Sequence, residues 1–178
     1  MVQAGMLSAI IWSIKRKFPA VKNISTDVLQ KKLDQSASAQ NVQLFLIDSR
    51  KREEFDVSHL QHATFLDFKS DNSAIKEFLD SHLKETDNEK IEIVCYCSVG
   101  YRSSVLAEKI SGILTKESKT DKIDVFNLEG SIFKWANENK SLIQENGDAI
   151  EYVHPFSFLW RVLGLNLSKW KWPADDLQ

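Results

Sequence analysis

The sequence predicts an α/β domain with a mainly parallel central sheet and helices on both faces. Three observations carry this expectation. Short, largely apolar runs of the kind found in strands buried on both faces recur at residues 44–47, 91–96 and 123–128. Stretches with helical apolar spacing lie between and after them, at the separation that crossover units need. Asp48 and Cys97 fall at the C-terminal ends of two of these runs, where open parallel sheets place their reactive groups.

In chain order, Leu7, Ile10, Ile11, Ile14 and Phe18 form a helical stripe over residues 6–18, ended by Pro19. The run 44–47 predicts the first buried strand. Asn72 or Ser73 is the expected cap of a helix carrying Ile75, Phe78, Leu79 and Leu83. The run 91–96 is a second strand, followed by a helix with Leu106, Ile110, Ile113 and Leu114. The run 123–128 is a third, and Gly130 opens a helix through Phe133 and Trp135. Near the end, Phe156, Leu159, Trp160, Leu163, Leu167 and Trp170 share one helical face. The expected organisation is an N-terminal amphipathic helix in 1–21, a core domain in 22–140 and a C-terminal aromatic helical extension in 141–178. Both terminal stripes are expected to pack on the domain or on each other, since apolar stripes of this width are ordinary for globular helices. The rival reading is attachment to a membrane surface, because tryptophans stand near Lys15, Arg16, Lys17, Arg161, Lys169 and Lys171.

Composition narrows the function classes. With 43% apolar residues in a chain of 178, a packed core is expected and general disorder is excluded. A net charge of -2 and the lack of a dense basic block argue against nucleic-acid binding. Cys95 and Cys97 are the two cysteines. Thiols this close in an extended segment point to opposite sides and do not bridge, so they read as reduced thiols in a reducing compartment. No metal or cofactor is expected, because two thiols supply at most half of a tetrahedral shell. The basic cluster at Lys15–Lys17 follows the apolar stretch, the reverse of a secretory signal. A cytoplasmic location is expected. A mitochondrial one is the alternative, since no acidic residue precedes Asp27.

The chemistry concentrates at Cys97-Ser98-Val99-Gly100-Tyr101-Arg102-Ser103, a segment that ends a strand and enters a helix. A thiol there faces the unpaired N–H groups and the positive dipole end of the coming helix, both of which favour thiolate. Gly100 lets the loop curl into an anion nest, and Arg102 adds a permanent charge with a planar fork. The expected product is a nucleophilic sulfur in an anion-binding cradle, which would also stabilise a persulfide. Cys95 lies within the strand and reads as core.

Three segments in order resemble the rhodanese family. Leu46-Ile47-Asp48-Ser49-Arg50, with Glu53-Glu54-Phe55 and Ser58-His59-Leu60-Gln61-His62-Ala63, is similar to its first signature. Residues 97–103 resemble its active-site loop, and residues 125–135 resemble its C-terminal signature. The resemblance covers about 22–140. It implies a sulfurtransferase in which Cys97 takes a sulfane sulfur from a small anionic donor such as thiosulfate. The sulfur then passes to a nucleophile such as cyanide or a protein thiol. A catalytically idle binding or regulatory module is the alternative. A phosphatase is a weaker one, since related phosphatases place one more residue between Cys and Arg. The resemblance suggests that Asp48 buttresses the active loop. Arg50 and Glu54, four apart, are expected to pair if residues 51–55 form a helical turn. Ser58, Gln61, His62 and Ser131 depart from the family pattern at turn positions, and His59 and His62 read as turn or surface residues. Trp135 reads as core, and Glu129 has no assigned role.

Overall fold

The computed structural model describes residues 2–35, 42–83, 90–155 and 169. Elements appear in the order α1 (Val2–Lys17), β1 (Lys22–Ile24), α2 (Thr26–Gln35), β2 (Val42–Asp48), α3 (Arg52–Val57), β3 (Ala63–Phe65), α4 (Asn72–His82), β4 (Lys90–Tyr96), α5 (Tyr101–Lys116), β5 (Ile123–Leu128), α6 (Ser131–Asn137), β6 (Leu142–Ile143) and β7 (Ala149–Ile150). The first five strands form one parallel sheet in the order β1-β5-β4-β2-β3, and the last two form a small antiparallel pair. The α/β class with a parallel sheet and helices on both faces is therefore the observed architecture.

The side-chain alternation of the strands divides the core in two. Ile91, Ile93 and Cys95 of β4, with Ile47 and Val125, meet Ile75 and Leu79 of α4 and Leu106, Ile110 and Ile113 of α5. Val94 and Tyr96 point the other way. With Leu46 and Leu128 they join Leu7 and Ile14 of α1, Phe18, Leu29 of α2 and Ile132, Phe133 and Trp135 of α6. The continuous apolar runs thus have their cause: β2, β4 and β5 are covered on both faces.

One expectation changes in detail. Neither Asn72 nor Ser73 caps α4. Asp71 does, its carboxylate accepting the Ala74 N–H at 2.9 Å, and Asn72 is the first helical residue. The short elements β1, α2, α3, β3, β6 and β7 gave no apolar run long enough to read. The N-terminal stripe forms α1 and packs into the core through Leu7, Ile14 and Phe18. The second stripe, 156–170, lies outside the described residues except for position 169. Among the described residues no helix is long and apolar enough to cross a membrane.

Candidate active site

Strand β4 ends at Tyr96, and the chain turns through Cys97, Ser98, Val99 and Gly100 into α5. Gly100 is the residue before the helix, with φ of +117°, a backbone region that side-chain-bearing residues avoid. This turn aims the Gly100 N–H at Cys97 Sγ, 3.1 Å away. Ser103 Oγ lies 3.5 Å from the same sulfur and 2.6 Å from Asn127 Oδ1. One hydroxyl proton cannot serve both, and the shorter contact holds it on Asn127. Asn127 is fixed in turn by donating from Nδ2 to Asn23 Oδ1 at 2.9 Å. Burial pushes the Cys97 thiol up, but the Arg102 charge and hydrogen bonds from the backbone N–H groups of Ser103 and Gly100 outweigh it and hold the thiol below its ordinary value. Cys95 is buried without such partners and is pushed up.

The loop backbone is gripped by the start of α6. The Cys97 N–H donates to Ser131 Oγ at 3.1 Å, and the carbonyls of Cys97 and Ser98 accept from the N–H groups of Ile132 and Phe133, each at 3.1 Å. The first N–H groups of a helix lack partners within it, so here the loop supplies them. Ser131 itself has φ of +51° and donates to the Leu128 carbonyl at 3.1 Å. The departure from glycine at this position therefore keeps the left-handed turn and adds a hydroxyl that ties β5 to the reactive loop.

Arg102 is placed differently from the sequence expectation. Its fork is closed on Glu54, with Nη1 to Oε2 at 2.6 Å and Nη2 to Oε1 at 2.9 Å. Nη2 also reaches Ser98 Oγ at 2.7 Å, and that hydroxyl donates to Glu54 Oε1 at 3.1 Å. Glu54 is buried. Desolvation raises its carboxyl, and Arg102 more than reverses this, leaving it below its ordinary value. Arg102 thus acts on Cys97 as a charge rather than as an open fork. A cleft of about 480 Å³ opens alongside it, lined by Lys51, Arg52, Glu53, Phe65, Asp67, Phe68 and Lys69.

The expected Arg50–Glu54 pair does not form. Arg50 precedes α3, so a spacing of four does not bring the two side chains together. Arg50 instead folds back on Asp48, with Nη2 to Oδ2 at 2.6 Å and Nε 3.0 Å from both carboxylate oxygens. Its Nη2 also donates to the Ser58 carbonyl at 2.6 Å. Both side chains of this pair are fully buried. Asp48 therefore buttresses Arg50 and the Ser58 turn rather than the reactive loop. Ser49 is the residue that ties this strand end to β4, donating from Oγ to the Tyr96 carbonyl at 2.8 Å.

Val99 and Ser98 are buried, whereas Tyr101 is exposed at the start of α5. His59 is buried rather than a surface residue, because it stacks on Phe55 with ring centroids 4.0 Å apart and its Nδ1 lies 3.1 Å from the Phe55 carbonyl. His62 is an exposed turn residue with φ of +63°. Trp135 is core, with its indole N–H on the Ser141 carbonyl, and Glu129 pairs with Lys15 at 2.7 Å. Sequence reasoning missed Asn127 and Ser131 and gave Glu54 the wrong partner. The available signals were Asn127, a polar residue at the end of a largely apolar strand, and the departure from the family pattern at Ser131.

The Rhodanese-like domain family model matches residues 26–138. No curated protein is similar enough in sequence to count as a relative. Among solved structures, the fold is similar to an As-Sb reductase from Leishmania major, with TM-score 0.58, 14% identity, and 73% of this chain and 92% of that one covered. It is similar to a Saccharomyces cerevisiae homologue of single-domain rhodanese and of a phosphatase catalytic domain, with TM-score 0.57, 15% identity and coverages of 67% and 82%. A thiosulfate sulfurtransferase from Pseudomonas aeruginosa matches with TM-score 0.53 and 13% identity, over 78% of this chain and 23% of that one. At these identities the likeness is one of fold. The family match, by contrast, spans well over half of the chain and includes the whole reactive loop. This chain belongs to the rhodanese-like domain family.

Proposed function

We propose that the protein is a sulfurtransferase that carries a sulfane sulfur on Cys97. The observation that supports this most is the pairing of a 3.1 Å Gly100 N–H contact on Sγ with the nearby Arg102 charge, which together favour thiolate at a buried position. In the first half-reaction the Cys97 thiolate attacks the outer sulfur of a donor such as thiosulfate. A Cys97 S–S bond forms, the donor's S–S bond breaks, and sulfite leaves with the electron pair. The terminal persulfide is an anion, and the loop N–H groups that favoured the thiolate suit it equally. In the second half-reaction a nucleophile such as cyanide or a protein thiol attacks the terminal sulfur, and the electron pair returns to Cys97 Sγ.

Both steps are displacements at sulfur, so neither calls for a metal or an organic cofactor. Ser98, Val99, Gly100, Tyr101, Arg102 and Ser103 form the loop around the transferred atom, while Asp48 and Arg50 hold the neighbouring strand end. The location that fits two reduced thiols is the cytoplasm, with the mitochondrial matrix as the alternative. Steady-state conversion of thiosulfate and cyanide to thiocyanate tests the reading. Turnover is expected in the wild-type protein and absent in Cys97→Ser. Turnover that survives in Cys97→Ser would refute it.

A further inference from the structure

Helix α1 precedes the residues that match the family, yet it lies on the reactive loop. It rests on the two left-handed glycines that follow β4 and β5. A Cβ added at Gly100 would stand 3.4 Å from Asn127 Nδ2 and 3.8 Å from Ile14 Cδ1. A Cβ at Gly130 would stand 3.0 Å from Ile11 Cδ1. Lys15 pairs with Glu129 beside that second glycine. Beyond the end of α1, Phe18 packs edge-on against Tyr101 with ring centroids 5.4 Å apart. Lys17 Nζ donates to Tyr101 Oη at 3.0 Å and sits 4.8 Å from the ring centroid.

Tyr101 stands between the two residues that govern the sulfur. Gly100 before it presents the N–H to Sγ, and Arg102 after it supplies the charge. Glycine is the least restrained residue a loop can have, and this one has no side chain with which to brace itself. Its backbone is held by its neighbours, and its carbonyl accepts from the Ser104 N–H at 3.1 Å and the Ser104 Oγ at 2.7 Å. Ile14 closes one approach to Gly100, and the Lys17–Phe18 clamp fixes the ring of the next residue. The charged and polar groups bearing on Cys97 are Arg102 and Ser103 of α5, Gly100 of the loop and Cys95 of β4, with Glu54 of α3 acting through Arg102. Helix α1 reaches this set through the loop, by Ile14 beside Gly100 and Lys17 on Tyr101.

We propose that α1 is a positioning element of the site, in which Ile14 and Lys17 act through Gly100 and Tyr101 to hold the Gly100 N–H against Cys97 Sγ. The link to turnover rests on the sulfurtransferase reading, whereas the link to the thiol does not. The rate of Cys97 alkylation by iodoacetamide, located by peptide mass, is followed against pH in the wild type, Ile14→Ala, Lys17→Met and Trp12→Ala. Trp12 lies on the exposed face of the same helix and serves as the control. The expected result is a titration midpoint raised by about 0.5 pH or more in Ile14→Ala, raised less in Lys17→Met, and unmoved in Trp12→Ala. The kcat for sulfur transfer should fall in the first two while KM for the donor is nearly kept. Lys17 is a surface residue, so Lys17→Met keeps the test readable even if Ile14→Ala fails to fold. Unchanged midpoints in the α1 variants that fold, or an equal rise in Trp12→Ala, would overturn the proposal. If the wild type forms no persulfide, the sulfurtransferase reading fails while the midpoints still decide the role of α1.

Discussion

Cys95 and Cys97 carry the same thiol two residues apart, and their surroundings push them in opposite directions. Burial raises both. Only Cys97 has the Arg102 charge and loop donors to bring it back below the ordinary value. A depressed thiol is ionised over more of the pH range, so Cys97 alkylation is expected to rise through a midpoint below that of a free thiol and then level off. The same shift links to stability: the stabilisation from ionised Cys97 is present above the unfolded thiol's value and is lost as pH falls through the lower folded one. Cys97→Ser is expected to abolish sulfur transfer and Cys95→Ser to leave most of it. Equal losses in two folded variants would contradict this assignment. Cys97, Gly100 and Arg102 were legible because a strand-to-helix turn with Gly and Arg downstream has few other uses. The closure of Arg102 on Glu54 was not legible, because it joins residues 48 positions apart and no local spacing reports such a contact. It also changes an expectation. Arg102→Ala should disturb folding as well as donor use, since it strands a buried carboxylate. A loss of about 3 kcal/mol is expected in denaturant unfolding.

Among the elements, the reactive loop is held by three supports: α3 through Glu54, β5 through Asn127, and the start of α6 through Ser131 and the N–H groups of Ile132 and Phe133. The buried Asp48–Arg50 pair does comparable work one strand away, joining the end of β2 to the Ser58 turn. Removing one partner of a fully buried pair leaves the other uncompensated. Arg50→Ala is therefore expected to lower unfolding stability by roughly 3–5 kcal/mol, with a far smaller effect on the Cys97 titration midpoint. The length of the loop bears on the phosphatase alternative. Cys97 and Arg102 are separated by four residues, one fewer than the related phosphatases use. Arg102 is, moreover, already occupied by a carboxylate. Little hydrolysis of a generic aryl phosphate is expected, and robust, Cys97-dependent hydrolysis would refute that. The elements that hold these supports divide by length in how well they could be read. The long buried strands β2, β4 and β5 were visible as apolar runs. Short α3 and β3 carry too few apolar positions for a period, and their places follow from tertiary pairing instead.

Across the whole molecule, the sheet brings the ends of β2, β4 and β5 side by side, so residues far apart in sequence converge on one sulfur. Helix α1 completes that arrangement from outside the family match. It buries Leu7 and Ile14, with Phe18 just beyond its end, and each large apolar side chain buried is worth about 1.5–3 kcal/mol. Deleting residues 1–18 is therefore expected to lower the melting temperature clearly, and an unchanged one would show that α1 is dispensable. The packing of α1 was readable from its stripe. Its seat on the reactive loop was not, because the glycines it touches reveal their backbone conformation only in the fold. Whether Cys97 holds a sulfane sulfur is read from the mass of the intact protein after incubation with thiosulfate. A gain of one sulfur atom is expected on the peptide containing Cys97, removed by cyanide and absent in Cys97→Ser. An unchanged mass in folded, reduced protein, or a gain that persists in Cys97→Ser, would contradict it.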